Sequence, residues 1–127
     1  MDFSISAELA EDQKRVENFV SSEIIPLESE STNYDFHGNI DLTLLTELRC
    51  KVKKAGLWAP QMPRAQGGMG YGPVGMAVLY EAMNHSIFGP VSFNCAAPDD
   101  GNMYILNKVA TEKQKSRWLQ AIIDGDV

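Results

Sequence analysis

Asp99 and Asp100 stand side by side, and two close carboxylates can divide acid and base roles because each pushes the other's pKa. Their position supports a simpler use: they open a segment of helical pattern, where acidic side chains cap the free amides and favour the positive end of the dipole. Cys95 and His85 offer a thiol and a base, but the Gly89-Pro90 break lies between them and nothing in the spacing joins them. A buried, inert Cys95 is the expectation. His37 and His85 are the only histidines, and neither has a second ligand at metal spacing. Gly70, Gly72 and Gly75 match the glycine pattern of a dinucleotide-binding turn, yet that turn needs a buried strand before it, and Pro63-Arg64-Ala65-Gln66 stands there instead. Met62, Met69, Met76 and Met83 recur every seven residues, like the seam of a paired helix. Intervening glycines and prolines leave only Met76 and Met83 on one helix, where they read as core. No acid, base, nucleophile and metal-ligand set converges.

Composition narrows the class further. The 127 residues suit one domain, and a 44% hydrophobic content is enough for an ordinary core. A net charge of -6 with no basic cluster beyond Lys51, Lys53 and Lys54 argues against nucleic acid or an anionic membrane surface as partner. Those three lysines fall at a predicted helix end, which the dipole favours. Cys50 and Cys95 have no paired spacing, so a reducing compartment is expected. The acidic N-terminus has no secretory or transit pattern and no apolar run reaches membrane-spanning length, which makes a soluble, cytoplasmic protein the expectation.

Elements able to position side chains come from periodicity. From Ser6, Leu9, Val16, Val20, Ile24 and Leu27 fall on one helical face, and Pro26 should bend or end that helix. Asp41 can cap a second helix with a stripe of Leu45, Leu48, Val52 and Ala55, stopped by Gly56. The glycines and prolines between Leu57 and Gly72 predict a loop. Pro73 opens a third helix, with Met76, Leu79, Tyr80 and Met83 on one side and Ala77 and Val78 making it apolar nearly all round, so it is expected to be central and buried. Gly89 and Pro90 break the pattern, and a fourth helix follows at about 99 to 109. Thr111 and Gln114 have capping-box spacing for a fifth, whose buried face would be the Lys115 stem, Trp118, Leu119, Ile122 and Ile123, with Gly125 as its stop. No stretch alternates as a strand would, so the fold class is all-α, a bundle of about five helices.

Three stretches in order resemble one family. Gly56-Leu57-Trp58, then Met62-Pro63 and Gly67-Gly68-Met69-Gly70, are similar to an AGLW, proline and GGxG sequence; Thr111-Glu112-Lys113-Gln114-Lys115, Trp118-Leu119 and Asp124-Gly125 are similar to a TEEQK, WL and small-residue end. Between them, Phe93-Asn94-Cys95-Ala96-Ala97-Pro98-Asp99-Asp100-Gly101-Asn102-Met103 is the most specific signal. The pattern resembles the N-terminal helical domain of the acyl-CoA dehydrogenases from Ala7 to Asp126, in the subgroup of the tenth and eleventh human members. Departures are Ala121 in place of a usual proline, Ala110 in place of a frequent glycine, and Arg64-Ala65-Gln66 in place of a more acidic and aromatic loop.

The resemblance implies an enzyme that uses FAD to oxidise an acyl-CoA to its trans-2-enoyl-CoA, with an electron-transfer flavoprotein-like acceptor and possible homo-oligomers. It places the catalytic glutamate, the middle β-domain and most flavin contacts beyond Val127, so no catalytic or cofactor-binding residue is assigned here. It also implies that Asp100, Gly101 and Asn102, with Tyr104 nearby, form part of the acyl-cavity wall. The alternative expectation is a standalone helical interaction or acyl-CoA-binding module without catalysis.

Overall fold

The computed structural model describes residues 4–126, and its regular structure is helical. Among these residues the β-type pairing is an isolated antiparallel bridge between Tyr34 and Ile40. Helix α1 (Ala7–Phe19) starts where Ser6 Oγ accepts the Leu9 N–H at 3.2 Å. It runs on through a wide π turn (Val20–Ile24) and a tight 3-10 turn (Ile25–Leu27) at Pro26, which cannot donate to the turn before it. Helix α2 (Leu42–Lys54) is capped by Asp41, whose carboxylate accepts from Thr43 N at 2.9 Å and Leu44 N at 3.2 Å. Its stop is Gly56 at φ +70°.

The remaining helices are α3 (Pro73–Met83), α4 (Gly89–Ser92), α5 (Asp99–Val109), α6 (Glu112–Gln114) and α7 (Gln120–Asp124), the last two joined by a π turn over Lys115–Leu119. Helix α3 packs on α1, α4 on α2, and α5 on α7. Their shared core holds Val16, Val20 and Ile24, Leu48 and Val52, Leu79 and Met83, Phe93, Met103, Leu119 and Ile123. Met76 and Met83 are both core residues, as their common helix required. Cys95 is buried too, and burial pushes its thiol pKa well up, consistent with an inert group.

Three expectations need correction. Trp118 is 45% exposed rather than buried beside Leu119 and Ile123. It lies in the π turn, which takes more residues per turn and shifts the 3.6-residue phase on which the expectation rested. Helix α3 is buried along one face, and Val74 and Ala77 on the other are exposed, since neighbouring elements cover only one side. The Gly89-Pro90 break is a short helix, with Pro90 in the first turn where a missing N–H costs nothing. A capping box closes as expected at Thr111, whose N–H donates to Gln114 Oε1 at 2.8 Å while its Oγ1 accepts the Gln114 N–H at 3.4 Å.

The C-terminal end of α7 is held from three directions. Trp58 Nε1 donates to Ile123 O at 2.7 Å, Lys53 Nζ to Asp124 O at 2.6 Å, and Asn94 Nδ2 to Ile122 O at 3.0 Å. Carbonyls that a helix end leaves unpaired are thereby satisfied by α2, the loop after it and the α4–α5 turn. Lys53 also lies 4.5 Å from the centre of the Trp58 ring, a cation over a π face.

Candidate functional site

Helix α5 separates two recesses because its residues alternate between faces at helical spacing. The α3-facing groove, about 560 Å³, takes Asp100, Gly101, Tyr104 and Asn107 from α5, and Tyr71, Met76 and Tyr80 from in and around α3. The α7-facing groove, about 500 Å³, takes Asn102, Ile105 and Leu106 from α5 and Trp118, Ala121 and Ile122 from the last helical segment. Of the four residues that the sequence put forward, Asp100, Gly101 and Tyr104 therefore share one groove, and Asn102 lines the other.

Two lining residues of the α3-facing groove, one from α3 and one from α5, are cross-linked. Tyr80 donates its O–H to the Asp100 carboxylate, and the same phenol oxygen lies 2.8 Å from the Cys95 carbonyl. Burial, and then the hydrogen bond to Asp100, hold the Tyr80 hydroxyl in its protonated form well above its ordinary pKa. The expectation that Asp99 and Asp100 cap the free amides of α5 needs correction. Both sit in the first turn of α5, the cap position is Pro98 with no side-chain cap, and Asp100 is engaged by Tyr80. Asn107, another lining residue, accepts from Gln66 Nε2 at 3.3 Å.

Tyr71 forms a second fixed wall. Its O–H donates to Asp12 Oδ2 at 2.6 Å, while Arg15 donates to Asp12 Oδ1 at 2.6 Å. Burial and the Asp12 carboxylate raise the Tyr71 pKa to about 12. The ring rests on Gly75, where an added Cβ would lie 2.6 Å from Tyr71 Cδ1. This contact also decides the glycine pattern: the space over Gly75 is filled by the chain's own tyrosine, and a 3-10 turn rather than a strand precedes Gly70. These glycines do not fit a flavin or nicotinamide pyrophosphate.

Gly101 behaves in the opposite way. An added Cβ there meets nothing within 4 Å, so this glycine in the first turn of α5 opens onto the groove rather than onto packed chain. Tyr71, Tyr80 and Gln61, which also lines the α3-facing groove, were not singled out by sequence as site residues. Tyr80 was visible only as a tyrosine in an apolar stripe, whose hydroxyl must find a partner; Tyr71 and Gln61 lie in a loop whose path periodicity does not fix. Among the described residues, no group of three or more His, Cys, Asp or Glu is placed to hold a metal ion, and no helix is long and apolar enough to cross a membrane.

Comparison with known proteins matches this helical architecture to one class. Residues 6–126 match the family described as acyl-CoA dehydrogenase, N-terminal domain. The chain is 33% identical over its whole length to the probable acyl-CoA dehydrogenase FadE2 of Mycobacterium tuberculosis, of which it covers 32%, and 34% identical over 86% of its length to acyl-CoA dehydrogenase family member 10 of Mus musculus, of which it covers 11%. A solved structure from Mycobacterium abscessus, described as an acyl-CoA dehydrogenase, superposes with a TM-score of 0.81 at 32% identity, covering 98% of this chain and 33% of that one. The chain belongs to the acyl-CoA dehydrogenase family and corresponds to its N-terminal domain. It spans about a third or less of the length of these relatives.

Proposed function

We propose that residues 1–127 form one helical domain of an FAD-dependent enzyme that oxidises an acyl-CoA to its trans-2-enoyl-CoA. In this reading the segment supplies part of the acyl-chain cavity and a packing surface for a β-domain, while the flavin and the catalytic base are held by other parts of the protein. Family membership and the misfit of its glycines to a pyrophosphate support that division. The observation that carries the cavity assignment is Gly101. Gly101 stands in the first turn of α5, and nothing in the chain's own packing requires a glycine there. Open space beside a helix backbone, walled by Met62, Met76 and three tyrosines, suits an alkyl chain.

The α7-facing groove suits the second role. Trp118 and Ile105 are exposed large apolar side chains lining it, and a bare patch of this kind fits a protein interface. The test of the cavity assignment is Gly101→Leu in the complete enzyme, because the new side chain enters the groove without displacing this chain. The expected outcome is a fall of about tenfold or more in kcat/KM for long-chain relative to short-chain acyl-CoA. An unchanged chain-length profile would remove this groove from the acyl cavity.

A further inference from the structure

We infer that Tyr71 is a specificity-determining wall of the α3-facing groove and that Asp12, on α1, is the positioning residue that holds it there. The inference rests on the acyl-cavity reading above. Two contacts fix the ring. Gly75 lets it lie against the first turn of α3, at a separation no other residue at that position would permit without displacing it. Asp12 accepts its O–H at 2.6 Å, and Arg15 occupies the other carboxylate oxygen at 2.6 Å while also donating to Ala55 O at the end of α2. Asp12 is 8% exposed, so water competes little for its oxygens.

The surrounding charges reinforce this arrangement. Arg64 pairs with Glu8, one turn before Asp12 on α1, and its Nε donates to Met69 O at 3.1 Å, which ties the loop carrying Tyr71 to the same helix. Tyr71 is thus held at its base by the loop, on its face by Gly75 and at its tip by Asp12. An unrestrained tyrosine could swing aside to admit a longer ligand, whereas one held at three points presents a fixed limit. Through it α1, which contributes no residue to the groove lining, takes part in setting the length of alkyl chain that the groove admits.

The test compares Tyr71→Ala, Tyr71→Trp and Asp12→Asn in the complete enzyme, with Gly101→Leu and the core variant Leu48→Ala alongside. The readout is kcat/KM across a series of acyl-CoA chain lengths, with Tm measured for each variant. Tyr71→Ala is expected to raise the long-to-short ratio by about tenfold and Tyr71→Trp to lower it. Asp12→Asn should shift the ratio in the direction of Tyr71→Ala by a smaller factor, while Leu48→Ala lowers Tm and leaves the ratio unchanged. If Gly101→Leu changes the ratio and neither Tyr71 variant does, the wall is refuted and the cavity stands. If none of the three changes it, the cavity assignment fails as well. If Asp12→Asn and Leu48→Ala move the ratio equally, Asp12 has only a structural role and the positioning claim falls. Should Tyr71→Ala not fold, Tyr71→Trp decides alone by the sign of its shift.

Discussion

The two flanks of α5 are built from one helix and differ in how their side chains are held. On the α3 side, Tyr80 is tied to Asp100, Tyr71 to Asp12 and Gln66 to Asn107, so the walls are fixed by hydrogen bonds between separate elements. On the α7 side the lining is Ile105, Leu106, Trp118, Ala121 and Ile122, with Asn102 and Arg117 at its polar margin. Apolar contact is non-directional and accepts any complementary surface, whereas a hydrogen-bonded wall keeps its shape with or without an occupant. On the function proposed above, the first flank would serve a ligand and the second would be covered by protein.

Met103, fully buried beneath both flanks, offers the largest effect. Met103→Ala is expected to lower unfolding free energy by about 2–5 kcal/mol, read by chemical denaturation, because it undercuts the helix that both grooves share. Gly75→Val should cost about 1–3 kcal/mol and break only the α3 side, since the new side chain must expel the Tyr71 ring. A structure of that variant should show the Tyr71–Asp12 hydrogen bond lost and the α7-facing groove intact.

Tyr71→Phe separates the two flanks by their response to pH. The folded-state pKa of Tyr71, about 12, lies above its ordinary value of 10.0. Folding therefore favours the protonated phenol: the contribution is fully present below pH 10 and is lost as pH rises towards 12. Relative to the parent protein, Tyr71→Phe should show a shallower loss of stability across that window in denaturation midpoints. Trp118→Ser gives the smallest change, within about 0.5 kcal/mol for this chain by itself, because its ring is exposed at 45%. A large destabilisation by Trp118→Ser would show that the α7 flank already contributes to the fold of this chain.

Most helix boundaries were legible because their signals are local. Ser6, Asp41 and Thr111 cap the helices they precede, and Gly56 and Gly125 end theirs at φ +70° and +73°. Trp118 escaped because one π turn changes the helical phase, an event for which composition carries no clear mark. Of the candidate residues, Asp100, Gly101 and Tyr104 came from the resemblance of one continuous stretch and line one groove, Tyr104 following the other two by four and three residues. Tyr71 and Gln61 were not reached, because their relation to α5 depends on the path of a loop rich in glycine and proline.

Read alone, the residues establish that this chain is helical, where most of its helices start and stop, and that Met76 and Met83 are internal, since caps, stops and periodicity act over a few residues. Only the tertiary structure decided that Asn102 faces away from Asp100 and Tyr104, that Tyr80 engages Asp100, and that a buried aspartate on α1 holds a tyrosine 59 residues further on. Such pairings depend on how whole helices pack, and packing is set by the sum of many weak contacts rather than by any short motif.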